Sequence, residues 1–216
     1  MVSAMDLVLQ TFIDCIFSIQ RVLVGTTIAI IIGVLLGIAR NFLPKKIKNN
    51  KIVNFIFEFP RFPPPIGWVP IVILFLGINE FSAYFIVFIG AFPPIFINTY
   101  SGIRDIPETY KNTARSMELS IWNYAYHVIF KSALPQIFVG IQVGVGMGWM
   151  SVIAAEMLSG ENGLGYAIEL YTLNLQFGLT VLNMIIIGII GFFLSELVCF
   201  FKRLIIPWHD LGENND

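Results

Sequence analysis

Long apolar runs alternate with short polar ones along this chain, and the spacing of the polar residues changes from run to run. In residues 1–21, Ser3, Asp6, Gln10, Asp14, Ser18 and Arg21 recur at steps of three or four, while Met5, Leu9, Phe12, Ile16 and Ile19 take another face. That pattern predicts an amphipathic helix lying at a membrane interface and leading straight into the next run. Val22–Ala39 (VLVGTTIAIIIGVLLGIA) is almost wholly apolar, long enough as a helix to cross ~30 Å of hydrocarbon. A basic loop, Arg40–Lys51, comes next. The second apolar run opens on EFPRFPPPIGWVPIVILFLG, where Pro60, Pro63, Pro64, Pro65 and Pro70 forbid a clean helical start. Irregular backbone at membrane depth must be buried in protein or line a wet cavity, so this entry is expected to face neighbouring helices. Asn79 and Glu80 lead into a third span, Ala83–Thr99, with a kink at Pro93-Pro94. The fourth is Leu134–Met157 and the fifth Thr180–Phe201.

The longest polar interruption is Ser101–Pro135, SGIRDIPETYKNTARSMELSIWNYAYHVIFKSALP. Pro107 suits a first helical turn, and Asp105 suits the positive end of that helix, which runs to about Met117. Ser120 is placed to cap a second helix through Phe130. Two short helices and a turn between apolar spans make a knob shaped for contact with another protein.

Composition settles the class. Of 216 residues, 56% are hydrophobic and 12% charged, about half the charged share of an average soluble domain; mean hydropathy is +0.79. Five alternating spans put residues 40–61, the knob and the C-terminus on one side. That side collects twelve of the thirteen Lys and Arg residues and leaves only Arg21 opposite. The positive-inside rule makes it cytoplasmic, with the N-terminus outside. A net charge of −1 gives no case for nucleic acid. Cys15 and Cys199 are far apart, and His127 and His209 are isolated, so neither a disulfide framework nor a metal site is suggested. No basic segment precedes the first apolar one, as a cleavable leader would require. The chain has no Gly-Lys dipeptide and hence no phosphate-cradling P-loop.

The knob resembles the cytoplasmic coupling loop of binding-protein-dependent ABC importer permeases, whose pattern is Glu-Ala-Ala, a glycine, then Ile-x-Leu-Pro. Here Asn112-Thr113-Ala114 stands at Glu-Ala-Ala and Glu118 at the glycine. Val128-Ile129-Phe130-Lys131 stands at Ile-x-Leu-Pro, and Leu134-Pro135 matches a second Leu-Pro typical of the nitrate, sulfonate, taurine and bicarbonate branch. The runs PPPIGWVPIVILFLGINE, NTYSGIRDIP, AAEMLSGENGLGY and LIIPW are similar to the same branch in the same order, across about residues 20–209. The resemblance implies an all-α polytopic fold, the five-helix core of a type I importer permease, in one domain with a coupling loop at 100–133. Members usually carry one more N-terminal helix.

It further implies that Glu108, Lys111, Asn112, Thr113, Ala114, Arg115, Met117, Glu118, Ser120 and Pro135 couple to a separate ATPase subunit that holds ATP-Mg. The chain itself would then be no enzyme and carry no cofactor. Its closing ATPase pair would swing the spans from inward-open to outward-open. The expected assembly is a homodimer in the cell membrane, fed by an external substrate-binding protein. If φ is positive at Glu118, the missing glycine raises the backbone cost. Substituting Ala114 by Arg is expected to detach the ATPase and leave membrane insertion intact.

Gly140, Gly144 and Gly148 form a small-residue stripe on the fourth span. Close packing within the subunit and a face along the translocation path explain it equally; Gly33 and Gly37 favour packing. Gln142, Gly144, Gly148, Ser151 and Glu156 are the candidate path residues, since intramembrane polar groups are functional candidates by default. Glu196 is placed to reach Lys202 or Arg203. Gly163, Leu164 and Gly165 permit tight turns, and by resemblance face the binding protein. Two other classes remain: an ion-coupled transporter using Glu156 and Glu196 as a proton relay, and a scaffold that docks a cytosolic partner. The spans do not name the solute.

Overall fold

The computed structural model describes residues 4–44 and 50–207, and all regular structure among them is helical. Lys45, Lys46, Lys48 and His209 lie outside the described residues. The first helix, α1 (Ala4–Phe42), is one 39-residue rod, so the lead-in and the first span are continuous. Its polar stripe divides: Asp6 and Gln10 are exposed, whereas Asp14, Ser18 and Arg21 are buried in the protein, and Met5, Val8, Leu9 and Phe12 point outward. The inversion follows from the solvent: lipid accepts the apolar face, and polar groups turn inward to partners on other elements.

Arg21 and Arg40 mark the two ends of the bundle, about 28 Å apart by helix rise. Arg40 stacks on Tyr100, 4.2 Å from the ring centroid, with Phe57 and Phe96 beside it; Arg21 is bonded to Glu80. The chain between Phe57 and Glu80 therefore travels from one end to the other, but not as a single helix. It is broken into α2 (Lys51–Glu58), a 3-10 turn (Phe59–Arg61) and α3 (Pro65–Leu76). At about 1.5 Å per residue α3 is too short to cross alone. Four helical stretches among the described residues are long and apolar enough to do so: Met5–Phe42, Glu80–Arg104, Ile121–Leu158 and Phe177–Ile205. The second of the five expected spans is thus a jointed one, its hinge at the Pro63–Pro65 run. Pro64 is extended (φ −61°, ψ 149°), as a residue before proline prefers.

α4 (Glu80–Arg104) begins at Asn79, whose side chain accepts from Ser82 N–H, and passes through Pro93-Pro94 without ending. The amphipathic α5 (Glu108–Ser116) comes after it. The knob's second helix does not stop at Phe130. A single α-turn, Ile121–Asn123, enters a π-helical segment, Tyr124–Phe130, which runs directly into α6 (Lys131–Ser159). Lys131 has the N–H a proline lacks, and it donates to the carbonyls of Tyr126 and Val128. Nothing there terminates the helix. α7 (Leu164–Leu173) and α8 (Phe177–Ile205) complete the fold.

Glycines set the spacing of the central three helices. A methyl on Gly33 would lie 2.9 Å from Ile95 Cγ2, and one on Gly37 2.7 Å from Thr99 Cβ, closing the α1–α4 seam. Gly140 and Gly144 of α6 lie against Asn98, Pro94 and Ile95 of α4, and Gly148 against Thr26 of α1. The stripe on the fourth span is a packing stripe, and α4 covers it. α8 joins through Trp149, whose indole N–H donates to the Ile187 carbonyl (3.1 Å).

Candidate functional site

The bundle presents different chemistry at its two ends. At the Arg40 end, α5 projects from α4 behind Pro107 and turns back at Glu118. Met117 N–H donates to Thr113 O (3.0 Å) and Leu119 N–H to Ala114 O (3.4 Å), closing the turn. Glu118 has φ 48°, the left-handed region where glycine is at ease, so the position aligned with the motif's glycine has the glycine conformation. Ser120 caps the next helical turn, accepting from Asn123 N–H. Along α5, Lys111 pairs with Glu108 (3.0 Å) and Arg115 donates to Asn112 (3.3 Å), while Thr113 donates back to Thr109 O. Ala114 is buried beneath the turn. An arginine there would have to displace the turn that covers it, so its effect would reach the hairpin's own structure as well as any surface it presents. The hairpin's outer surface is made by Tyr110, Met117, Ile121 and Trp122, the last two 84% exposed. Pro135 lies inside α6 and borders a cleft.

That cleft, about 810 Å³, opens between the end of α4, the start of α5 and the start of α6. Ser101, Asp105, Tyr110, Lys131, Ser132 and Gln136 line it. Both Asp105 carboxylate oxygens accept from Arg104 (2.7 and 2.9 Å), and the guanidinium holds that carboxyl below its usual range. Just above, Gln136 Nε2 donates to Asn98 Oδ1 (2.8 Å), and Asn98 Nδ2 donates to the Pro94 carbonyl (2.8 Å).

At the Arg21 end, polar groups from four elements interlock. Three successive amides at the start of α7 donate to side chains of α1 and α6: Gly163 to Asp14 Oδ1 (2.9 Å), Leu164 to Ser18 Oγ (2.9 Å) and Gly165 to Glu156 Oε2 (3.0 Å). Ser18 donates to Glu156 (2.9 Å), and Arg21 donates to Glu156 Oε1 (2.9 Å). Arg21 also reaches Glu80, the Asn162 carbonyl and the Asn162 side chain. The Gly-Leu-Gly run permits the close approach: Gly163 has φ +111°, and a Cβ on it would lie 2.5 Å from Glu156 Oε1. One helix N-terminus is thereby capped by carboxylates, which its exposed amides and dipole favour.

The sequence matches the family model described as "Binding-protein-dependent transport system inner membrane component" over residues 21–209. The chain belongs to this family. The permease is 35% identical over 195 residues to the nitrate import permease of Synechocystis sp., covering 88% of this chain and 68% of that one. It is 37% identical over 197 residues to the bicarbonate transport system permease of Synechococcus elongatus (90% and 69%). The taurine transport system permease of Escherichia coli is 27% identical over 192 residues (89% and 69%). Its fold is that of a subunit of the MetNI methionine ABC transporter in an inward-facing conformation: TM-score 0.73, 94% of this chain and 99% of that one, at 16% identity. The permease is therefore a multi-pass membrane subunit of an ABC importer. It is not an enzyme; ATP hydrolysis belongs to a separate subunit.

Four of the five candidate path residues are buried, and Gln142 is half-buried. Gly144 and Gly148 are sealed by α4 and α1, and Ser151 is fully buried, donating to Met147 O (2.7 Å) beside Gly90. Glu156 is held in the clasp at the Arg21 end, where the Gly165 amide, Ser18 and Arg21 satisfy its carboxylate. Gln142 donates to Ser195 of α8 (3.3 Å). Gly163, Leu164 and Gly165 are buried against α1 and α6 and anchor the loop before α7. Glu196 is exposed on α8, and among the described residues no ion pair joins it to Lys202 or Arg203. Sequence reasoning missed the partnership of Asp14, Ser18, Arg21 and Glu80. The signal is there, as polar residues at helical spacing, but spacing alone reads equally as a face at the membrane interface.

Proposed function

We propose that the Arg40 end faces the cytosol, that the hairpin from Glu108 to Trp122 docks on the ATPase subunit, and that two copies of the permease form the path. The supporting observation is the exposed set Tyr110, Met117, Ile121 and Trp122, four large side chains at the end where basic residues put water. Such a patch, rimmed by polar residues, suits a protein partner. ATP-Mg would bind in that partner, and its closure would move the hairpin and the continuous helix behind it. The external binding protein would approach at the Arg21 end, over the exposed Glu161 and Leu158. The relatives named for nitrate, bicarbonate and taurine make a small anion the favoured solute. A proton relay through Glu156 is disfavoured, because its carboxylate is occupied by Arg21, Ser18 and an amide.

The test is co-purification. Replacing Trp122 and Tyr110 by Ala should remove the ATPase from detergent-extracted permease while the permease still inserts and extracts at the normal level. Full retention of the ATPase would overturn the docking assignment.

A further inference from the structure

With Gly144, Gly148, Ser151 and Glu156 packed away, another face is needed to line the way out. The face of α6 turned away from α1 is uncovered in the single chain. On α6 it carries Gln136, Val139, Val143 and Met150, all exposed, and Gly146, where a Cβ would meet nothing within 4 Å. Above Gln136 this face has no polar side chain. Below, it opens into the 810 Å³ cleft, where polar groups collect.

Those groups are donors. Asn98 Nδ2 is committed to the Pro94 carbonyl, so its oxygen faces Gln136, and Gln136 must present its amide nitrogen in return. A side-chain amide has two N–H groups, and this bond uses one of them. Ser101 and Ser132 add hydroxyls, and the ammonium of half-buried Lys131 stands at the wall, 5.5 Å from the Tyr126 ring centroid. The carboxylate in the cleft, Asp105, is offset by Arg104 on both oxygens. Fixed charge and donors thus favour a small anion over a cation. Lys131 stands where the resembled loop motif has its first proline, and the same replacement lets α6 run on unbroken.

Resting on the reading of the chain as an importer permease that moves a small anion, we infer that this cleft is the release site. Lys131 supplies the charge, and Ser101, Ser132 and Gln136 the hydrogen bonds that hold an oxyanion as it enters the cytosol. The volume far exceeds one such anion, so binding is weak and suited to release. The second copy completes the wall opposite α6.

The assembled transporter, with ATPase and binding protein, would be placed in nanodiscs without nucleotide. The permease would carry Cys15→Ser, Cys199→Ser and Val139→Cys, the last a reporter in the cleft wall outside the donor set. Maleimide labelling is measured with sodium nitrate or sodium bicarbonate against sodium chloride at equal ionic strength. At an oxyanion concentration of several times Kd, mass action predicts labelling roughly fivefold slower. Adding Lys131→Gln should abolish the protection, and Lys131→Arg should keep most of it. Equal labelling rates in all three salts, or protection unaffected by Lys131→Gln, would overturn the assignment. ATP-driven uptake of the two oxyanions by the same preparation separates the causes. Uptake without protection removes the release site alone; absence of uptake of either oxyanion removes the anion-importer reading and this inference with it.

Discussion

Arg21 is the cationic residue on which the clasped end of the bundle turns. It is buried, it bonds to Glu80 and Glu156, and it ties α1 to α4, α6 and the loop before α7. A buried pair adds little over an apolar pair of equal shape, but removing one partner leaves an uncompensated charge costing about 3–5 kcal/mol. Arg21→Gln should therefore sharply lower the thermal stability of the permease in detergent, and the double variant Arg21→Gln, Glu156→Gln should recover part of the loss. Equal instability of the double and single variants would mean that the cost lies in shape and not in charge. Asp14, Ser18 and Glu156 were each legible as polar residues in apolar helices. Their convergence was not, since it joins positions some 140 residues apart.

Among the elements, the hairpin and α6 carry the most information. Glu118 is strained by the turn its position requires, at about 1–2 kcal/mol for a left-handed non-glycine residue. Glycine loses more freedom on folding, roughly 0.5–1 kcal/mol, so the net gain from Glu118→Gly is small but favourable. That substitution should raise the hydrogen-exchange protection of residues 108–120 modestly and leave ATPase attachment intact; lower protection would show that the Glu118 side chain holds the turn. The two helices of the hairpin and the Ser120 cap could be located from Pro107, Ser120 and the polar run alone. The fusion of the second helix with α6 through the π-helical segment could not, because an apolar run after Phe130 reads equally as a new span or as a continuation. Lys131 joins the two locally by donating its N–H to the carbonyls of Tyr126 and Val128.

Taken whole, the molecule is a membrane bundle with a basic end and a clasped end. Tyr110, Trp122 and their neighbours belong to the basic end, so orientation has a direct measurement. A cysteine at Trp122, in a chain with Cys15 and Cys199 replaced by Ser, should react with a membrane-impermeant maleimide only after intact cells are permeabilised. Labelling of sealed cells would reverse the proposed topology and remove the hairpin from the ATPase.

By itself the sequence determined the class, the bias of basic residues and the capped hairpin, because these arise from local composition and from periods of a few residues. It also determined that Glu118 occupies a glycine's position. Only the tertiary structure decided which way each polar stripe faces. In lipid the usual rule of apolar inside and polar outside does not hold, and a polar group turns wherever a partner exists. The partners of Asp14, Ser18 and Arg21 lie on α7, α6 and α4, and the neighbours of Gly144 and Gly148 on α4 and α1. No local pattern carries that information, since it arises when distant segments pack.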